Sequence, residues 1–262
     1  MAAKFENNNL IVLNPLSGDK VDTLTVSDEK YINDSILNAK IDSSWPSLSV
    51  SKRISCINKY RRKLLKNKKE IARTIKNETG KIDFDITVEI LTSLEHLKQI
   101  ASIAKKALKI QRRNAGLMKT KKAYVKYEPL GVAGVIAPWN YPLATPLTSS
   151  AEALIAGNNV ILKPSEHTPL TSKLLKKIWD NTIEYRNAFQ VVIGGADVGE
   201  SIVKNSDIDI VCFTGSTFVG RIIAKQCAET LKPCILELGG KDPMIVLNDA
   251  NIHRAVESAI FG

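Results

Sequence analysis

From Leu130 onward, the sequence alternates short apolar runs with stretches of helical periodicity. The apolar runs predict strands at Gly131–Ala137, Asn159–Leu162, Phe189–Ile193, Ile208–Phe213, Cys234–Leu238 and Met244–Leu247. The intervening periodicity predicts helices at Leu143–Ala156, Pro169–Tyr185, Val198–Lys204 and Phe218–Glu229, and another from Ile252 onward. This alternation is typical of βαβ units, which form an open, mostly parallel sheet with helices on both faces. We therefore predict an α/β fold whose ligand lies beyond the carboxyl ends of the strands.

Size and composition agree with a globular α/β protein. The 262 residues suffice for one large domain or two small ones, and a 44% hydrophobic, 24% charged composition excludes a disordered chain. No run of about 18 apolar residues is present, so we expect no membrane insertion. The first residues lack the apolar core and the small-residue cleavage site of a secretory signal, and we expect a cytoplasmic location.

The spacing of the four cysteines supports the same location. Cys56, Cys212, Cys227 and Cys234 show neither a CxxC motif nor zinc-ligand spacing. We interpret them as reduced thiols of a cytosolic protein, and we expect no metal site.

The net charge of +10 originates in one segment. Residues 51–81 contain twelve lysines and arginines against Glu70 and Glu78. Apolar residues recur there at helical spacing, at Ile54, Ile57, Leu64, Ile71 and Ile75, and predict one basic helix that ends near Gly80. We interpret the charges as a solvated helix face, and a patch for nucleic acid or an acidic membrane is the alternative. The segment lacks interleaved aromatic residues, so we expect no nucleic-acid partner.

The regions on either side of the basic segment differ in character. Residues 1–50 are polar and turn-rich, with little periodicity. A second amphipathic helix is predicted over about 83–109, with Ile86, Ile90, Leu94, Leu97, Ile100 and Ala104 on one face.

Five polar or glycine-rich segments follow the predicted strands, and the first contains Pro138, Trp139, Asn140, Tyr141 and Pro142. The two prolines restrict the local backbone. An asparagine held in this way can aim its side-chain NH2 at a developing oxyanion. The alternative is a rigid turn around a buried tryptophan.

The second segment is Lys163-Pro164-Ser165-Glu166, at the end of a predicted strand. A lysine at this place can meet a hydroxyl or a phosphate, and a glutamate three residues later can accept hydrogen bonds from two ribose hydroxyls. Lys163 and Glu166 could equally form an ordinary surface pair.

Glycines dominate the third and fourth segments. In Gly194–Gly199 they let a helix N-terminus approach a ligand closely. In the segment 213–221, Gly215 and Gly220 have the separation found in a P-loop. Arg221 and Ile222 replace the required lysine and hydroxyl residue, so we exclude a nucleoside triphosphatase.

The fifth segment places Glu237 between two leucines and ahead of Gly239 and Gly240. We expect this carboxylate to be partly desolvated, because burial raises the pKa of a carboxyl group toward the value that suits a general base. Pairing of Glu237 with Lys241 is the alternative.

The five segments occur together and in a fixed order between about Tyr127 and Gly262. In this combination they resemble the NAD(P)-dependent aldehyde dehydrogenase superfamily. The EPLG at 128–131 and the GGADVG at 194–199 resemble its coniferyl-aldehyde and fatty-aldehyde branches. The resemblance implies the Rossmann-like fold of that family, a small-molecule aldehyde substrate and a homodimer of the intact enzyme with an oligomerisation strand near 118–129. It also implies NAD as cofactor, with NADP as the alternative, because Glu166 would repel a 2′-phosphate.

The resemblance also implies individual roles. Asn140 matches the asparagine of the oxyanion hole, and Glu237 matches the general base that activates water. Lys163 and Glu166 match the residues that hold the adenine ribose. The full implied cofactor set is Pro138, Trp139, Lys163, Ser165, Glu166, Gly195, Gly199, Phe213, Thr214, Gly215, Ser216, Leu238 and Gly239.

One family feature is missing from these residues, namely the nucleophilic cysteine in its Gly-Gln-x-Cys-type segment. We interpret Cys212, Cys227 and Cys234 as structural thiols. The sequence also stops inside an apolar helical pattern. We therefore expect a truncated chain, with the N-terminal helices and cofactor domain in residues 1–238 and the start of a catalytic domain in 239–262. Such a chain would be inactive alone, and a non-catalytic NAD-binding module or pseudoenzyme is the alternative.

Overall fold

The computed structural model describes residues 3–261, and its centre is a five-stranded parallel sheet. The strands are β6 (Val132–Ile136), β7 (Asn159–Lys163), β8 (Phe189–Val191), β9 (Ile210–Gly215) and β10 (Cys234–Leu238). Their spatial order is β10-β9-β6-β7-β8, and every pairing is parallel. The predicted α/β fold with an open parallel sheet is thus confirmed.

Helices cover both faces of this sheet. They are α1 (Glu29–Ile41), α2 (Val50–Lys66), α3 (Lys68–Thr79), α4 (Asp83–Ala107), α5 (Ala144–Ala156), α6 (Pro169–Asp180), α7 (Ala196–Lys204) and α8 (Thr217–Glu229). The last helix, α9 (Ile252–Phe261), follows β10 and has no buried residue. On one face, α5 and α6 pack between the sheet and the layer of α2, α3 and α4, while α1, α7 and α8 pack on the other face. None of the helices within residues 3–261 has the length and apolar character needed to cross a lipid bilayer.

The first 50 residues are more ordered than their sequence indicates. They form an antiparallel sheet of β1 (Ala3–Glu6), β2 (Asn9–Leu13) and β3 (Lys20–Thr25), followed by α1. Asn7 and Asn8 both have positive φ, at 46° and 62°, and join β1 to β2 as a two-residue hairpin. Asparagine tolerates this conformation, so the Asn-Asn pair was the available signal for a hairpin.

The basic segment is two helices rather than the single predicted one. α2 ends at Lys66 and α3 begins at Lys68, and the side-chain amide of Asn67 donates a hydrogen bond to the Lys63 carbonyl at the break. Asn67 has φ of −96° and ψ of 12°, and its backbone amide donates to the carbonyls of both Lys63 and Leu64, so the last turn of α2 tightens before α3 begins. Most of the basic side chains are exposed, whereas Arg53 is buried against α5.

Three other predicted elements need correction. Met244–Leu247 is an exposed irregular segment rather than a strand, because no neighbouring strand within residues 3–261 pairs with it. The helix that begins at Pro169 ends at Asp180 rather than Tyr185, and the indole of Trp179 donates to the Tyr185 carbonyl across the following turn. The strand at Phe189 ends at Val191.

A small antiparallel hairpin lies apart from the central sheet. It pairs β4 (Gln111–Arg113) with β5 (Ala123–Val125). Its position outside the five-stranded sheet agrees with the strand expected near 118–129, and its role in oligomerisation stays a prediction.

Alternation along β6 divides the core into two clusters. Ala133 and Val135 face α5, whereas Val132 and Ile136 face α7. Between them, a Cβ atom at Gly134 would lie 2.6 Å from Cγ2 of Ile202, so glycine permits the close approach of α7 to the sheet.

Candidate functional site

A cleft opens at the carboxyl ends of the strands, where the direction of the chain connections reverses. The connections after β6 lead to β7 and β8 on one side, whereas β9 lies on the other side of β6 and leads to β10. Ligands of open α/β sheets bind at such a switch point. The cleft has a volume of about 690 Å³, within the range of roughly 300–1,000 Å³ that is typical of small-molecule sites.

Lys163 and Glu166 form a charged pair inside this cleft. The Nζ atom of Lys163 lies 3.4 Å from Oε2 of Glu166, and the Lys163 side chain is only 6% exposed. Burial lowers the pKa of Lys163, while Glu166 and Asp197 act in the opposite direction. Burial alone would raise the pKa of Glu166, but the Lys163 ammonium, a backbone hydrogen bond and His167 bring it below its usual value. The pair thus presents a donor beside an ionised acceptor, which suits a ligand with neighbouring hydroxyl groups.

The start of α8 forms the opposite wall. Ser216 is its N-cap residue, and the Oγ atom accepts a hydrogen bond from the Val219 amide. The remaining amides of the first turn and the helix dipole favour a negatively charged group at this end. Gly199 of α7 also lines the cleft, and a Cβ atom there would approach Ile136 and Lys163 only to 4.0 Å.

Most of the implied cofactor residues line this cleft. Those that do are Pro138, Trp139, Lys163, Ser165, Glu166, Gly199, Phe213, Thr214, Gly215 and Ser216. The segments at the ends of β6, β7 and β9 and the start of α7 are therefore brought together.

Three implied cofactor residues and Asn140 lie outside the lining. Gly195 is the N-cap residue of α7, and a Cβ atom there would approach the Phe5 ring to 3.2 Å. Leu238 packs on Gly220 of α8, where a Cβ atom would lie 2.4 Å from Cδ2 of the leucine, and Gly239 is exposed. Asn140 is exposed, and its Oδ1 atom accepts a hydrogen bond from the Tyr141 amide.

Glu237 lies in a second cavity of about 280 Å³, next to α5. Cys212 of β9 and Glu152 of α5 also line this cavity. The Glu237 side chain is exposed, so the expected partial desolvation is wrong for this structure. The alternative pairing with Lys241 is not among the ion pairs that join residues 3–261.

The cysteines occupy positions that suit structural thiols. Burial, followed by the charge of Glu152, raises the pKa of Cys212 to about 11, so its thiol is protonated at neutral pH. Burial also raises the pKa values of Cys56 and Cys227. Cys234 packs with the cluster beneath α8, on the face of the sheet opposite to Glu237.

Sequence reasoning missed several residues of the cleft. His167 lines it, and its Nδ1 atom is buried without a hydrogen bond within residues 3–261. Phe218, Val219 and Ile222 of α8 supply an apolar wall. Their position within two turns of Ser216 was the available signal, because the first turns of α8 face the same cleft.

Comparisons with known proteins agree with this arrangement. The sequence profile described as "Aldehyde dehydrogenase family" matches residues 3–262. The betaine aldehyde dehydrogenase of Vibrio vulnificus strain CMCP6 is 33% identical over 250 residues, which are 95% of this chain and 51% of that protein. The benzaldehyde dehydrogenase [NAD(+)] of Pseudomonas putida is 36% identical over 253 residues, covering 96% of this chain and 52% of its own length.

A similar solved structure extends the likeness to three dimensions. The aldehyde dehydrogenase of Mycobacterium tuberculosis, solved in complex with NAD+, has a TM-score of 0.91 and 30% identity, covering 98% of this chain and 53% of that one. The chain spans about half the length of the curated relatives it matches.

Proposed function

Since this chain belongs to the aldehyde dehydrogenase family, we propose that it binds NAD in the cleft and serves the oxidation of an aldehyde to a carboxylic acid. The observation that supports the proposal best is the convergence of Lys163, Glu166, Gly199 and Ser216 on one cleft at the switch point of the sheet. The chain spans about half the length of its relatives. We therefore also propose, by similarity, the activity, substrate and assembly of the whole enzyme.

The residues of the cleft fit NAD. The Glu166 carboxylate would accept hydrogen bonds from ribose hydroxyls, and the buried Lys163 ammonium would donate to them. The N-terminus of α8 would meet the negative charge of the pyrophosphate. The charge of Glu166 disfavours the extra phosphate of NADP, which remains the alternative cofactor.

The chemistry follows from the roles assigned to two residues of the chain. When bound, NAD accepts the hydride that leaves the aldehyde carbon. The side-chain N–H of Asn140 would donate to the oxyanion that develops during attack on the aldehyde. The carboxylate of Glu237 would take a proton from the water molecule that releases the acid. Its exposed position beside the second cavity leaves it accessible to such a water molecule.

We propose that none of the four cysteines of this chain is the nucleophile that attacks the aldehyde. Cys56, Cys212 and Cys227 have pKa values raised by burial, and Cys234 lies on the wrong face of the sheet. A protonated thiol is a poor nucleophile. The polypeptide 1–262 alone would therefore bind NAD without oxidising aldehydes, as would the alternative, a non-catalytic NAD-binding module or pseudoenzyme.

We also propose a substrate class, an assembly and a cellular location. The EPLG and GGADVG segments favour a coniferyl or fatty aldehyde, whereas the relatives described above are named for betaine aldehyde and benzaldehyde. The hairpin of β4 and β5 would contribute to a homodimer. The four free cysteines agree with the reducing cytoplasm.

Calorimetric titration of the 262-residue chain with NAD tests the proposal. We expect Lys163→Met and Glu166→Gln each to weaken binding roughly 10- to 100-fold, the size of one lost hydrogen bond to a charged group. Lys173→Met is the matched control, because this exposed lysine of α6 does not line the cleft. A folded chain that fails to bind NAD, or equal affinities for all four proteins, would contradict the proposal.

A further inference from the structure

Glu89 of α4 is a buried acidic residue on the apolar face of its helix. Its side chain is 0% exposed. The Oε1 atom accepts hydrogen bonds from the backbone amides of Leu143, at 2.9 Å, and Ala144, at 3.2 Å. These amides begin α5, whose own N-cap residue, Leu143, provides no side-chain acceptor. Glu89 thus caps a helix that belongs to another part of the chain.

Lys81, between α3 and α4, completes this arrangement. Its Nζ atom donates to Oε2 of Glu89 at 2.8 Å and lies 4.1 Å from the centroid of the Tyr141 ring. The ammonium therefore neutralises the buried carboxylate and makes a cation–π contact with the aromatic ring. One ion pair contacts the backbone at 143–144 and the side chain of Tyr141.

Both contacts fall on the segment Pro138–Pro142 or directly after it, between β6 and α5. Trp139 lines the cleft at the start of this segment. Asn140 follows, and its Oδ1 atom accepts from the Tyr141 amide, so the residue under Lys81 also holds the Asn140 side chain.

We propose that Lys81 and Glu89 are positioning residues that hold Trp139 and Asn140 in place by clamping the segment Pro138–Pro142 from behind. This inference rests on the proposed function only for the roles of Trp139 and Asn140. The clamp itself is a property of the chain without ligand. A group that must meet a developing charge gains from being held before the reaction starts, and small misplacements are costly.

The experiment uses ¹⁹F NMR of the ligand-free chain labelled with 5-fluorotryptophan. The three tryptophans give three resonances, and Trp139→Phe identifies that of Trp139. Trp139 is 59% exposed, whereas Trp45 and Trp179 are 0% exposed in the core and act as internal references. The variants are Glu89→Ala, Lys81→Met and Lys81→Arg. Glu95→Ala is the control, because Glu95 is an exposed residue of α4 paired with Lys98.

We expect Glu89→Ala and Lys81→Met to move or broaden the Trp139 resonance by more than its linewidth and to leave the other two in place. Lys81→Arg should restore the wild-type position because it keeps a cation over Tyr141. If Glu89→Ala does not fold, Lys81→Met and Lys81→Arg carry the test, because only the arginine substitution keeps a cation beside Glu89 and Tyr141.

Two results would overturn the inference. One is a Trp139 resonance that stays within its linewidth in the folded variants. The other is an equal displacement of all three resonances, which would show a general loosening of the core. Titration of the wild-type chain with NAD tests the proposed function separately, so failure of one conclusion is distinguishable from failure of the other.

Discussion

Buried polar side chains of the N-terminal helices contact the first turns of the helices that flank the sheet. Glu78 of α3 shows how such burial changes the pKa of a carboxyl group. Its carboxylate accepts hydrogen bonds from the amides of Leu170 and Thr171 and from the Thr171 hydroxyl, at the start of α6. Burial nevertheless raises the pKa of Glu78 from 4.5 to about 7, because the hydrogen bonds only partly replace lost hydration. The carboxyl group of this cap therefore changes charge within the neutral pH range.

The Glu78 shift predicts a pH-dependent stability. Between pH 4.5 and about 7 the folded chain holds the proton that the unfolded chain has released. The contribution of Glu78 to the free energy of unfolding should therefore fall by about 3 kcal/mol as the pH rises through this interval. Urea unfolding of the wild type and Glu78→Gln at several pH values measures this contribution as a difference. The nearby Glu70–Lys177 pair is common to both proteins. A difference that is constant with pH would contradict the assignment.

At the scale of elements, periodicity predicted the five strands of the central sheet and the helices between them, because each pattern reflects burial within one element. It failed where a neighbour decides the structure. Met244–Leu247 is apolar enough for a strand but has no strand beside it within residues 3–261. The break at Asn67 lies in the local backbone conformation of one residue, which leaves the apolar spacing on either side unchanged.

At the site, too, the sequence predicted which residues come together but not the features that a neighbouring element decides. Motifs near strand ends indicated which residues share the cleft, since parallel strands place their carboxyl ends at one edge. The environment of Glu237 depends on what packs against β10, which its flanking leucines do not specify. Glu89 interrupts the apolar face of α4 between Ile86 and Ile90, and such a charge was the available signal for a buried cap.

The packing of α2 against α5 gives a prediction at this scale. Arg53 is buried, and its guanidinium donates to the carbonyls of Ile155 and Leu48. Arg53→Met should lower the free energy of unfolding by roughly 2–4 kcal/mol, because buried carbonyl groups lose their donors. Arg62→Met, an exposed position on the same helix, should change it by less than about 0.5 kcal/mol. Equal effects of the two substitutions in urea unfolding would show that Arg53 does not join these helices.

At the scale of the whole molecule, the cleft depends on parts of the chain that are far apart in sequence. Segments after β6, β7 and β9 line it together with α7 and α8. The helical layer of α2, α3 and α4 contacts the helices behind two of these segments, through Glu89 at α5 and Glu78 at α6. The N-terminal region is therefore expected to support the site without touching the ligand.

Hydrogen–deuterium exchange of the 262-residue chain with and without NAD tests the central claim, that NAD binds at the switch point, most directly. We predict increased protection in residues 137–142, 163–168, 195–200 and 213–222, because ligand contacts slow local opening. The hairpin of β4 and β5, at the periphery of the fold, should exchange equally in both samples. Protection of other regions with these segments unchanged, or no protection at saturating NAD, would contradict the account.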